Sequence, residues 1–154
     1  MAALACLLAI TAAAVSASIH PLNAKTGLWQ MSETVNWTGL PPQLEAALAN
    51  GKAHHYQSCV KPEDLSTNPW ADGSRENCTW TVVSSTGTDM EVEGTSCNLG
   101  AEFGWMAEVH GKIHVLDSED GTGSFDVRMS GNGQTMNGHA SYTGKWVGSS
   151  CPAE

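Results

Sequence analysis

The six histidines, at positions 20, 54, 55, 110, 114 and 139, are the first side chains to weigh for chemistry. Imidazole is the commonest metal ligand and changes charge near neutral pH. Their spacing does not gather them. In an extended strand His110 and His114 share a face, yet four residues of strand span roughly 13 Å, too far for two ligands of one ion. His54 and His55 are adjacent and point to opposite faces of a strand. Met31, Met90, Met106, Met129 and Met136 could offer thioethers to cuprous copper, but most alternate with polar residues, as gap-filling core side chains do. Copper or zinc handling through His and Met therefore requires the fold to bring donors together. For nucleophilic catalysis the chain has serines but no Gly-x-Ser-x-Gly elbow. A hydrolase-like enzyme would need a dispersed site, with Ser, His and Asp or Glu converging in a deep polar pocket. Gly121-Thr122-Gly123-Ser124 and Gly131-Asn132-Gly133 lack the Lys and following helix of a phosphate loop, and read as turns. No catalytic, cofactor-binding or metal-ligating residue is assigned from the sequence, and no cofactor is implied.

Cysteine usage is more informative. The first seventeen residues carry no charge, and the apolar run from Leu4 to Val15 is too short to span a membrane. Val15-Ser16-Ala17 supplies the small-x-small pattern of a signal-peptidase site, so residues 1–17 are expected to be a signal peptide, with cleavage after Ala17. The mature part, 18–154, then carries no membrane span. Cys6 falls inside the discarded segment. Cys59, Cys78, Cys97 and Cys151 are left, an even number in an exported chain, which reads as two disulfides. No Cys-x-x-Cys pair exists, and the spacings fit no zinc template. Asn36-Trp37-Thr38 and Asn77-Cys78-Thr79 match the glycosylation pattern, which matters only in a eukaryotic source.

The elements that must position these residues are strands. Trp29, Met31, Val35 and Trp37 alternate with polar side chains, the period of a half-buried strand from Leu28 to Trp37. Gln43 to Asn50 has helical spacing of Leu44, Ala47 and Leu48 and is expected to form a short helix. His54 to Val60 reads as a second strand, and Pro62-Glu63-Asp64-Leu65 as a helical turn with Pro in its first turn. From Cys78 onward a meander is expected: Cys78 to Ser84, Met90 to Cys97, Phe103 to Leu116, Ser124 to Ser130 and Gly138 to Val147. Gly87, Asp120-Gly121 and Gly131-Asn132-Gly133 supply the turns. His110 and His114 fall on the solvated face, with Trp105, Ala107, Val109, Ile113 and Val115 toward the core. The fold class is all-β and mainly antiparallel, a small meander barrel or sandwich of about seven or eight strands with one or two helical turns. It forms a single domain with its core over about 25–151. If Gly87-Thr88 is a type II′ turn, residues whose numbers sum to 175 face one another, and Cys78 meets Cys97. Cys59 is then left for Cys151.

The balance of seven Lys and Arg against sixteen Asp and Glu argues against nucleic acid and against an anionic membrane surface. Six tryptophans are the one compositional excess. Trp29, Trp37, Trp80 and Trp105 fall where they could line the inside of a barrel and hold an apolar ligand, or else fill its core. Gly27-Leu28-Trp29, then Cys59-Val60-Lys61-Pro62-Glu63-Asp64, Cys78, Cys97 and Gly148-Ser149-Ser150-Cys151 together resemble the exported bacterial family known as domain of unknown function 3617. The likeness runs from about Lys25 to Cys151. It implies a β-rich envelope protein of a Gram-negative bacterium, periplasmic or secreted, with no catalytic residues to carry over. The reading that follows is a non-enzymatic β domain that binds a small apolar ligand or an envelope protein partner.

Overall fold

Alternation along the chain produces strands, and the turns between them decide how the strands pair. The computed structural model describes residues 19–40, 51–70, 78–97 and 105–152. The expected signal peptide and the expected helix at 43–50 lie outside these. Seven strands form: β1 (Gly27–Thr38), β2 (Ala53–Val60), β3 (Thr79–Ser85), β4 (Asp89–Cys97), β5 (Met106–Val115), β6 (Asp120–Gly131) and β7 (Gln134–Gly148). All pairings are antiparallel, in the order β2-β1-β7-β6-β5-β4-β3. The sheet is a meander from β3 to β7, extended beyond β7 by β1 and then β2. It stays open, because β2 and β3 are its two edges. Among the described residues the one helical element is the 3-10 turn Pro62–Ser66. There Asp64, 5% exposed, accepts a hydrogen bond from the Lys61 backbone N–H at 2.7 Å. This carboxylate caps the turn that Pro62 starts, which explains the Pro-Glu-Asp run physically.

Three turns differ in how closely they follow expectation. Asn132 and Gly133 both have positive φ, 51° and 75°, as a two-residue Asn-Gly hairpin requires. At Gly87-Thr88 the register beside the turn sums to 175, with Ser85 opposite Met90 and Ser84 opposite Glu91. The turn itself is not type II′, because Gly87 has no positive φ. A Cβ there would meet the end of the Asn23 side chain, and the Asn23 backbone N–H donates to the Gly87 carbonyl at 2.7 Å. Gly121-Thr122-Gly123, read as a turn, lies inside β6, which begins at Asp120 rather than Ser124. The loop is supplied one step earlier, where Asp117 Oδ1 accepts from the backbone N–H groups of Glu119 and Asp120.

The cysteines explain a register irregularity. Val83 bulges from β3, so beyond it the pairs sum to 174, as Val82 with Val92 and Trp80 with Gly94. A second irregularity between Gly94 and Cys97, with Ser96 at φ 53°, compensates on β4. Cys78 and Cys97 then stand 4.0 Å apart at Cα and are bonded. Cys59, near the end of β2, is bonded to Cys151, three residues past the end of β7, with 5.6 Å between Cα atoms.

A single sheet with no covering helix can bury a face only by curling over it. Trp29, Met31, Met90, Val92, Ile113 and Phe125 from four strands form one buried cluster inside the curl. One end is stoppered. Residues 19–26 run across it, with Asn23 bonded to Gly87, Leu22 to Leu65 and Lys25 to Ser118 through the backbone. Trp70, 3% exposed, packs 6.4 Å from Trp29 and over Gly121 and Gly123. A Cβ on Gly121 would come within 2.7 Å of the Trp70 ring, so those two glycines are space for an indole.

The candidate functional site on the inner wall

At four inward positions of the curl a ring on one strand is paired in register with a glycine on the next. Trp37 pairs directly with Gly138, Trp80 with Gly94, Phe125 with Gly111 and Tyr142 with Gly123. A Cβ on Gly138 would lie 2.7 Å from Trp37 Cζ3, and one on Gly94 2.9 Å from Trp80 Cζ3. The glycines leave room for the Trp37, Trp80 and Phe125 rings, and Phe125, Trp80 and Tyr142 also pack against the buried cluster.

The four candidate tryptophans separate on this map. Trp29 is fully buried at the stoppered end, and its indole N–H donates to the Lys25 carbonyl at 2.9 Å. It is core, and lines nothing. Trp37 and Trp80 occupy the same cross-strand row near the other end and are half-buried, with half-buried Val127 between them in that row. Trp105 is half-buried just before β5. Trp80 has a further peculiarity. Its Nε1 is buried and has no hydrogen-bond partner; among the described residues only Asn68 Nδ2 shares that condition. A buried donor left unsatisfied costs about 1–3 kcal/mol.

Sequence reasoning missed the polar part of this wall. Glu33 lies on β1 between His54 of β2 and Tyr142 of β7. The Tyr142 hydroxyl donates to Glu33 Oε1 at 2.8 Å, and its ring meets Phe125 edge-on at 5.2 Å. Burial, and next the Glu33 charge, push the Tyr142 phenol far above the ordinary tyrosine range. Tyr56 packs beneath a stacked His54 at 5.6 Å on β2. The signal was available: Glu33 is the one charged residue at an inward position of the first strand, between Met31 and Val35.

Histidines 110, 114 and 139 all lie on the opposite, outward face. His110 Nε2 is 2.9 Å from Glu91, His114 Nδ1 2.7 Å from Asp89, and His139 Nδ1 2.7 Å from Asp126. Cross-strand pairing sets Glu93, His110, Asp126 and His139 in one alternating row over β4 to β7. Hydrogen bonds from Thr88, and then from His114, hold the Asp89 carboxyl below its ordinary range. These are solvated cross-strand pairs. Among the described residues no three His, Cys, Asp or Glu side chains group so as to hold a metal ion. Met31, Met90 and Met136 are core; Met106 is exposed.

The comparisons with known proteins add one finding. The sequence model of the family described as protein of unknown function, DUF3617, matches residues 24–151. No curated protein and no solved structure matches the chain.

Proposed function

We propose, from the premise that the chain belongs to the DUF3617 family, that this domain is a non-enzymatic binding module that holds a small apolar molecule against its inner wall. The observation that carries the reading is the pair of half-buried tryptophans, Trp37 and Trp80, packed against inward glycines, with the Trp80 N–H buried and lacking an acceptor. A ligand bearing one acceptor that reached that donor would relieve its unsatisfied burial. The setting is the envelope or beyond. Two disulfides favour an oxidising compartment, and no helix among the described residues is long and apolar enough to cross a membrane. The leader expected at 1–17 would deliver the chain there, into the periplasm or the medium of a Gram-negative cell.

Decanol, with one hydroxyl acceptor and an apolar chain, is a suitable probe. Calorimetric titration of the oxidised protein is expected to give saturable one-to-one binding, weakened about tenfold or more in Trp37→Ala. Non-saturable partition, or equal affinity in the variant, contradicts the site.

A further inference from the structure

The inner wall carries a charge that the apolar reading does not use. Glu33 is half-buried among Met31, Val35 and Tyr142, and its one hydrogen bond is the donation from the Tyr142 hydroxyl. No Lys, Arg or His among the described residues forms an ion pair with it, although every histidine of the outward face at β5 and β7 has a carboxylate. A carboxylate has about four lone-pair sites, so most of its acceptor capacity is unused by the protein. Partly buried carboxylates are ordinarily matched by a cation or by several donors. The rings beside it are electron-rich: Tyr142 on β7 and Tyr56 on β2 flank β1 on the inward side. Along β1, Glu33, Val35 and Trp37 follow at every second position, so the distance from carboxylate to indole is roughly 13 Å. That is the length of an extended chain of about ten carbons with its head group.

We infer that the inner wall takes an amphipathic amine: its ammonium group is held by the Glu33 carboxylate between the Tyr56 and Tyr142 rings, and its apolar body lies along Val35 toward Trp37. The inference rests on the apolar-binding reading, keeps its contact with Trp37, and places the polar head at Glu33, since an ammonium has no lone pair to offer the Trp80 N–H. The ammonium supplies the donors that Glu33 lacks, and the phenol rings add a cation–π contribution. The Tyr142 hydroxyl fixes the carboxylate rotamer and leaves the second oxygen to the ligand.

Three probes of equal chain length separate head group from body: decylammonium, decanol and decanoate, each titrated at neutral pH into the oxidised protein. The expected order is decylammonium tightest, by roughly tenfold over decanol, with decanoate weakest. In Glu33→Gln that advantage of the amine should vanish while decanol affinity is kept, which also shows that the variant is folded. Tyr142→Phe retains the carboxylate and the ring, and is expected to retain the preference. Decanol binding with no advantage for the amine, or an advantage that survives Glu33→Gln, overturns the inference and leaves the apolar site standing. No binding of any of the three overturns both.

Discussion

Among the described residues, Tyr142 and Asp89 are the two side chains whose surroundings shift their acidity, and they do so in opposite directions. Tyr142 ionises with difficulty because its phenol is desolvated and donates to an anionic Glu33. The unfolded chain gives up that proton near the ordinary tyrosine value of about 10, while the folded chain keeps it. The stabilisation is therefore fully present below about pH 10 and is lost as pH rises above it. Urea unfolding followed from neutral to alkaline pH should show a decline in wild type that is flatter in Tyr142→Phe; parallel declines would contradict the assignment. For Asp89 the sign reverses. Its folded carboxyl is held low by Thr88 and His114, so its contribution is present above the ordinary aspartate range and lost as pH falls through the lowered value. Thr88→Ala should move the Asp89 titration upward in a carboxyl-carbon NMR titration. Since Asp89 is 62% exposed, little change in stability should accompany the move.

At the scale of strands, the ring-over-glycine pairs explain what could and could not be read beforehand. Period-two alternation located all seven strands, because every strand has one solvated face and one buried face. The long β6 was cut short because Gly121 and Gly123 look like turn residues when seen alone. Only the distant Trp70, brought over by the loop after the 3-10 turn, shows that they are strand positions kept bare for its ring. The same blindness hid the sorting of the tryptophans. Trp29 and Trp37 share one face of one strand, yet one is plugged by Trp70 and the other faces Gly138. Sequence alternation gives the face and says nothing of what lies across the curl. Glu33 could be placed inward, but its partner Tyr142 is 109 residues away. A test belongs to these pairs. Gly138→Ala forces a methyl to within 2.7 Å of the Trp37 ring and should cost roughly 1–3 kcal/mol in chemical unfolding. In a Trp37→Ala background the same substitution should cost clearly less, and equal costs would separate the two residues.

The whole molecule depends on ties that join its open ends. The curl does not close through hydrogen bonds between β2 and β3, so the strap of residues 19–26 and the Trp70 stopper hold it, while each disulfide ties strands that are near neighbours in the sheet. The Cys59–Cys151 bridge closes a far longer loop than Cys78–Cys97, with separations of 92 and 19 residues. In the loop-entropy picture they contribute roughly 4.7 and 3 kcal/mol. Replacing both cysteines of the longer pair by serine should therefore lower the unfolding midpoint more than the same change in the hairpin pair, and the reverse order would place the constraint within the hairpin. The four cysteines, the capped Pro-Glu-Asp turn and the meander were legible from the chain, because each is a local or covalent signal. The sorting of the inner rings was not, since it is set by which rings meet glycines across the sheet. That an apolar molecule binds against those rings is the central claim, and the indole N–H signals of the six tryptophans report on it directly. In a two-dimensional NMR titration with decanol, saturable shifts are predicted at Trp37 and Trp80, with Trp80 moving downfield as its N–H gains an acceptor, and none at Trp29 or Trp70. Six unmoved indoles, or shifts spread evenly over all of them, would contradict it.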